Sequence, residues 1–217
     1  MVKLQKIKEP QVLRDGSRRW TRELIQYVEN GQNIPKALQQ RYNHDEVKSA
    51  LKEETSNKCM YCESKIAHIT YEHIEHIKPK SIYPNLTFVW SNLGLTCPKC
   101  NMNKSSKYDE ECPFINPYID EPSEYFVALG PFIYHKPGRK RGEITEKTID
   151  LNRAELLEQR IERIDSIRFL FDKYANEENV RLKDILFSEL QKEIEDNKPY
   201  SFCAKSTFRQ LLPPAPN

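Results

Sequence analysis

No apolar run in this sequence approaches the roughly 20 residues a helix needs to cross a bilayer. Nor does the opening stretch MVKLQKIKEP contain the apolar core of a secretory leader. The two absences point to the cytoplasm and to no membrane partner. Net charge is nearly absent as well. The 34 Lys+Arg residues against 32 Asp+Glu leave +2, so whole-chain charge argues neither for nor against a nucleic-acid partner. Internal repeats and low-complexity tracts are also missing, and a repeat array is set aside on that ground. What is present is a polar surface over a periodic apolar pattern. Charged residues make up 30% and the mean hydropathy is −0.77, yet 38% of the residues are hydrophobic and fall in runs. At 217 residues the chain can bury a sizeable core as one domain or two small ones.

Local charge is less even than the total. Residues 1 to 22 carry seven Lys/Arg against Glu9 and Asp15, residues 73 to 107 carry five lysines against Glu75, and KPGRKR at 136 to 141 has four bases in six positions. Each reads first as a solvated face, and only a nearby site would make it a nucleic-acid contact.

Six cysteines in a cytosolic chain argue against a disulfide framework. Four form two Cys-x-x-Cys pairs, Cys59/Cys62 and Cys97/Cys100. In a reducing compartment such pairs most naturally give four thiolates to one tetrahedral, structural Zn²⁺. A redox role is the alternative, but no thioredoxin-like βαβ pattern surrounds either pair. Between the pairs lie 34 residues, more than a simple zinc ribbon holds, so the metal would clamp a small structure inside its own loop. Cys112 and Cys203 stand apart and are expected only to pack.

The chain divides by pattern into four regions. Residues 1–56 read as helical: WTRELIQYVENG at 20 to 31 with Gly31 closing it, a second helix near Pro35–Tyr42, and a third near Asp45–Glu54 with Asn43 as its N-cap. Residues 57–108 hold a cysteine pair, the β-favouring run ITYEHI, a proline-containing loop, a short strand LGLTC and a polar helix starting near Cys100. Residues 109–150 form a loop-rich basic extension with short strands; five prolines fall between 112 and 142. Residues 151–217 are helical again. Asn152 and Glu155 suit a capping box, Leu157, Ile161, Ile164, Phe171 and Tyr174 continue an apolar stripe, and helices follow over about Val180–Glu195 and Phe202–Leu212, closed by PPAP.

Inside the cysteine-flanked loop the order is Glu75-His76-Ile77-Lys78-Pro79, then Asn92-Leu93, then Cys100-Asn101-x-x-Lys104. This order and spacing resemble the HNH nucleases, whose ββα-metal fold delivers an acid and a histidine from a strand and a last ligand from a helix. The resemblance covers about residues 57 to 108 and implies an α+β, helix-rich protein with a small ββα-metal core clamped by the zinc site. It implies that Glu75 and Asn101 hold a divalent ion, that His76 is the general base, that Asn92 fixes the loop orienting it, and that Lys104 faces the phosphate. The third position is Asn101 where the family name has histidine. A carboxylate with an amide oxygen is a hard donor set suited to Mg²⁺, with Mn²⁺ as substitute.

The chemistry stands beside the resemblance. Phosphodiester hydrolysis needs a deprotonated water and a cation against the charge that develops on the phosphoryl group and leaving oxygen. A neutral imidazole can take that proton. Neighbouring strand residues point to opposite faces, however, so Glu75 and His76 can serve one phosphate only where the strand ends or bends. His73 shares a strand face with Glu75 and is open between a structural histidine and a metal or phosphate contact. Glu72 reads as a surface acid, and His44, His68 and His135 show no partner pattern.

A narrower resemblance spans about residues 57 to 160, where HIEHIKPKSIYPNLTFVWSNLGLTCPKCNMNK is followed at a distance by EKTIDLNRAELLEQR. This is similar to HNH proteins of the PtuB type from Septu-like and retron-associated anti-phage systems. It implies a defence effector acting with an ATPase partner of the PtuA type on nucleic acid, DNA before RNA. The reading from another class is a zinc-stabilised nucleic-acid-binding or adaptor module without catalysis, which would have no use for Glu75, His76 and Asn101 together.

Overall fold

The computed structural model describes residues 1–66 and 72–212; His68, the start of the ITYEHI run and the PPAP tail lie outside the described residues. Helix α1 spans Gln11–Glu29, nine residues earlier than the apolar pattern suggests. Pro10 sets its start with a φ already suited to a helix, and Leu13, Gly16, Trp20 and Leu24 form the buried stripe. Helix α2 is a single turn, Lys36–Gln39, and α3 covers Asp45–Thr55. The cap of α3 is His44 and not Asn43, its Nδ1 accepting from the Glu46 amide at 3.2 Å.

At the centre lie β1 (His73–His76), β2 (Leu93–Thr96) and α4 (Pro98–Lys104). The strands are antiparallel, with Glu75 opposite Gly94 and His76 opposite Leu93. Gly94 is required by close approach, since a Cβ there would sit 2.3 Å from the Met60 sulfur. The Met60 amide bonds the Leu95 carbonyl at 2.9 Å, so the first cysteine pair lies against β2.

In the extension, β3 (Phe126–Leu129) and β4 (Phe132–His135) form a hairpin. The KPGRKR segment runs into a helix that the proline-rich composition concealed, α5 at Lys140–Ile149. Its Arg141 is a staple, paired with Asp120 at 2.6 Å and donating to the carbonyls of Pro113 and Phe114. His135 bonds Glu146, both its amide and its Nδ1 lying 2.7 Å from the carboxylate.

Helix α6 spans Ala154–Ala175, α7 Val180–Glu193 and α8 Ser201–Leu211. The capping box does not form, because Asn152 is clamped to the Ile133 backbone, accepting from its amide at 2.9 Å and donating to its carbonyl at 2.8 Å. The buried stripe of α6 lies at Leu156, Arg160, Ile164 and Ile167, so Leu157 and Ile161 fall off it and Ile161 is exposed. Hairpin and helix packing set that register, which periodicity alone places one residue away. The main core joins Leu13 and Trp20 of α1, Leu51 of α3, Leu93 and Leu95 of β2, Phe126 and Ile133 of the hairpin, and Cys203 of α8. A smaller cluster, Ile167, Leu190, Ala204 and Phe208, packs α6, α7 and α8 together. Among the described residues no helix is long and apolar enough to cross a membrane.

Candidate functional site

Two polar clusters flank the central ββα unit. In the first, Cys59, Cys62, Cys97 and Cys100 are all buried, and their sulfurs lie within 4.8 Å of one another. The Cys62 and Cys97 sulfurs are 3.8 Å apart, which matches the edge of about 3.8 Å in a tetrahedron of Zn–S bonds near 2.3 Å. None of the cysteines is in a disulfide. The residues present therefore fit one Zn²⁺. Local structure explains the fit. Cys97 is the N-cap of α4, its sulfur accepting from the Cys100 amide at 3.4 Å, and Glu63 takes a positive φ of 64° just after the first pair.

The second cluster lines an open cleft of about 330 Å³ that includes Tyr42, His73, Glu75, His76, Lys80 and Asn101. The strand resolves the geometric objection by ending. The chain turns after His76, the Ile77 amide bonding the Asn92 carbonyl at 2.9 Å, and the consecutive residues Glu75 and His76 are both buried while lining one cleft.

His76 Nε2 lies 3.0 Å from the Thr87 carbonyl. A carbonyl only accepts, so Nε2 carries the proton and Nδ1 is left as the basic nitrogen. Burial lowers the His76 pKa to about 4, so the ring is neutral at physiological pH. Tyr42 meets the ring edge-on, centroids 4.6 Å apart, and fixes its plane. Asn92 staples the loop: its Oδ1 accepts from the Lys78 amide at 2.8 Å, and its Nδ2 donates to the carbonyls of Lys78 at 3.0 Å and Leu86 at 3.2 Å.

Lys104 is a correction. Its side chain is fully buried and its ammonium is spent on Glu75 Oε1 at 2.5 Å and the His76 carbonyl at 2.9 Å, so it cannot face a phosphate in the cleft. The reason is tertiary: α4 packs on β1 and carries Lys104 under the strand. Burial pushes the Glu75 carboxyl up and the Lys104 ammonium opposes it; the contact has the length of a charge-assisted pair. Such a pair fixes one carboxylate oxygen and leaves lone pairs on the other. Asn101 is half-buried, and its Nδ2 lies 3.4 Å from Nδ1 of the exposed His73. Glu75, Asn101 and His73 thus line one cleft, and by donor type they are residues that could hold a divalent cation. Glu72 pairs with Lys52 at 2.9 Å, as a surface acid would.

Sequence reasoning missed Tyr42, Lys80 and the Thr87 carbonyl. Lys80 Nζ donates to the Tyr42 hydroxyl at 2.8 Å, and among the described residues lining the cleft it is the one lysine or arginine. The doubled lysine around Pro79 was a visible signal for Lys80. Tyr42 left none, because it arrives from the N-terminal helices.

Compared with known proteins, residues 59–107 match the HNH endonuclease family. The chain carries an HNH endonuclease domain. The match to the HNH domain takes in both cysteine pairs, β1, β2 and α4. The chain is similar to a Septu protein PtuB of Bacillus thuringiensis, 31% identical over 72% of this chain and 57% of that protein. It is also similar to a PtuB of Bacillus mycoides, 34% identical over 55% of this chain and 51% of that one. A retron HNH protein of Vibrio cholerae is 30% identical over 52% of this chain and 60% of its own length. The chain thus spans between half and three-fifths of the length of these relatives, and its similarity to them extends beyond the HNH domain.

Proposed function

We propose that this protein is a metal-dependent endonuclease that hydrolyses phosphodiester bonds of nucleic acid, DNA in the first place, as the effector of an anti-phage defence complex. The observation that carries the reading is the cleft in which a neutral histidine of defined tautomer stands beside a carboxylate, an amide and a second imidazole. His76 Nδ1 accepts the proton of the attacking water while Thr87 holds the ring from the other side. Glu75 and Asn101 hold the divalent ion, Mg²⁺ or Mn²⁺, which when bound stabilises negative charge on the phosphoryl group and leaving oxygen. Lys104 positions Glu75, Asn92 positions the loop, and Lys80, steadied by Tyr42, is the cation at the phosphate. His73 stands next to Asn101 and contacts the ion or the phosphate.

An ATPase partner of the PtuA type is part of the same proposal. Its support is the similarity to Septu PtuB proteins, together with apolar side chains left exposed on the outer helices, Phe169 of α6 and Val180 and Ile185 of α7. Action in the cytoplasm is part of the proposal and rests on the similarity to Septu PtuB proteins.

The test is His76→Ala, assayed with Mg²⁺ on plasmid, single-stranded DNA and structured RNA, with the partner ATPase present. Cleavage is expected to fall by about 10² or more while zinc content and nucleic-acid binding hold. Glu75→Ala and Asn101→Ala should lose cleavage too, with part returning at higher Mg²⁺ or Mn²⁺. Full cleavage by a clean His76→Ala preparation would sink the mechanism. A wild type that binds but never cuts would favour a binding module.

A further inference from the structure

The segment EKTIDLNRAELLEQR, residues 146 to 160, lies outside the HNH match and takes no part in the cleft. Its middle residues instead form a turn between α5 and α6 that sits on the cysteine cluster. The Ile149 carbonyl accepts from Asn103 of α4 at 2.9 Å, Asp150 takes a positive φ of 58°, and Leu151 is fully buried with its carbonyl held by Arg160 at 2.8 Å. The turn delivers Arg153 to the sulfurs. Its Nη1 lies 3.7 Å from Cys100 Sγ, and its Nη2 lies 3.8 Å from Cys100 Sγ and 3.9 Å from Cys97 Sγ. Apart from sulfur, the guanidinium donates to the Asp150 carbonyl at 3.1 Å, and no carboxylate pairs with it among the described residues.

Charge counting gives this placement a purpose. Four thiolates around one Zn²⁺ carry a net charge of about −2, and in a buried site that charge is costly unless a cation or hydrogen-bond donors face it. We propose that Arg153 is the counter-charge of the tetrathiolate metal centre, and that the Asn103–Ile149 hydrogen bond ties the centre to the start of α6. Arginine suits the task because its planar fork, always charged, can donate to two sulfurs at once. Its N–H groups draw electron density from the second cysteine pair, which slows protonation or electrophilic attack there and so slows metal loss. The segment then serves the cysteines rather than the cleft.

The proposal rests on the zinc reading and not on the nuclease reading, and its test reads metal, not cleavage. Zinc release from the full chain is followed with a chromogenic chelator, alone and with a thiol-directed mercurial, for wild type, Arg153→Met, Arg153→Lys and Asn152→Ala. Arg153→Met should lose zinc about 10- to 100-fold faster, the range typical when a group supporting metal ligands is removed. Arg153→Lys, keeping the charge without the fork, should fall between. Asn152→Ala breaks the neighbouring clamp on β4 without touching sulfur and should release zinc near the wild-type rate. With Co²⁺ in place of zinc, the sulfur-to-metal absorption band should shift in Arg153→Met and not in Asn152→Ala. Equal release from wild type and Arg153→Met, or equal acceleration in Asn152→Ala, would overturn the role of Arg153. A wild type that purifies without a tightly held divalent ion would overturn the metal centre and the counter-charge together.

Discussion

The two polar clusters of the HNH domain share the same two strands and one helix, and they are built on opposite principles. The cysteine cluster is closed: all four ligands are buried, capped by an arginine, and packed under α5 and α6. The acid and histidine cluster is open: Glu75 and His76 are buried, but Asn101 is half-exposed and His73 is exposed at the lip of a cleft. A closed tetrahedral set contributes folding energy and excludes chemistry, whereas an open set leaves room for water and substrate. The difference separates a closed set from an open one even where the two meet at consecutive residues of α4, Cys100 and Asn101.

Breaking the closed site should have the largest effect. Structural zinc can contribute on the order of 10 kcal/mol or more to folding, so Cys62→Ser or Cys97→Ser should give insoluble or locally unfolded protein. Solubility, circular dichroism and zinc content check this, and a well-folded wild type with zinc near zero would end the idea. Second comes the buried joint between the sites. Lys104→Met leaves the Glu75 carboxylate without its partner and should cost about 3–5 kcal/mol in denaturant unfolding, while a solvent-exposed phosphate contact would cost nothing comparable. Third, in the open site, His76→Ala should raise the barrier to cleavage by about 2.7 kcal/mol or more, the equivalent of a 10² loss in rate, with zinc retained. A large loss of zinc or of fold in that variant would erase the distinction between the sites.

The smallest test uses a buried cysteine that belongs to neither site. Cys203 is as buried as the four clustered cysteines, and burial pushes its thiol from the ordinary value of 9.0 up to about 11. The unfolded chain therefore loses this proton first as pH rises, and stability falls between pH 9 and 11. By pH 10 wild type should have lost about 1.4 kcal/mol that Cys203→Ala does not lose. Paired denaturation curves at pH 7.5 and pH 10 measure the difference, and identical pH dependence in the two proteins would contradict it.

Much of the site was legible because metal ligands come as short local patterns. Two Cys-x-x-Cys pairs announce a tetrahedral set whatever surrounds them, and Glu75-His76, Asn92 and Asn101 kept their order and spacing on strand, loop and helix. Helix α5 was hidden by the prolines around it, and α1 began before its clearest apolar stripe. The roles that went astray were those of residues whose partners are far away in the chain. Asn152 looked like a cap and clamps a strand 19 residues back.

The sequence by itself determined the four-cysteine cluster, the acid-histidine-asparagine order and the helix-rich α+β character, since each is a matter of residue type and near spacing. Only the tertiary structure decided that Lys104 lies beneath β1 and not at the phosphate, that Tyr42 and Lys80 stand at the cleft, and that Arg153 faces the sulfurs. The physical reason is that a long, charged side chain can reach several neighbours. Which of them it meets depends on the packing of elements 29 to 56 residues apart, and local pattern carries no record of that packing.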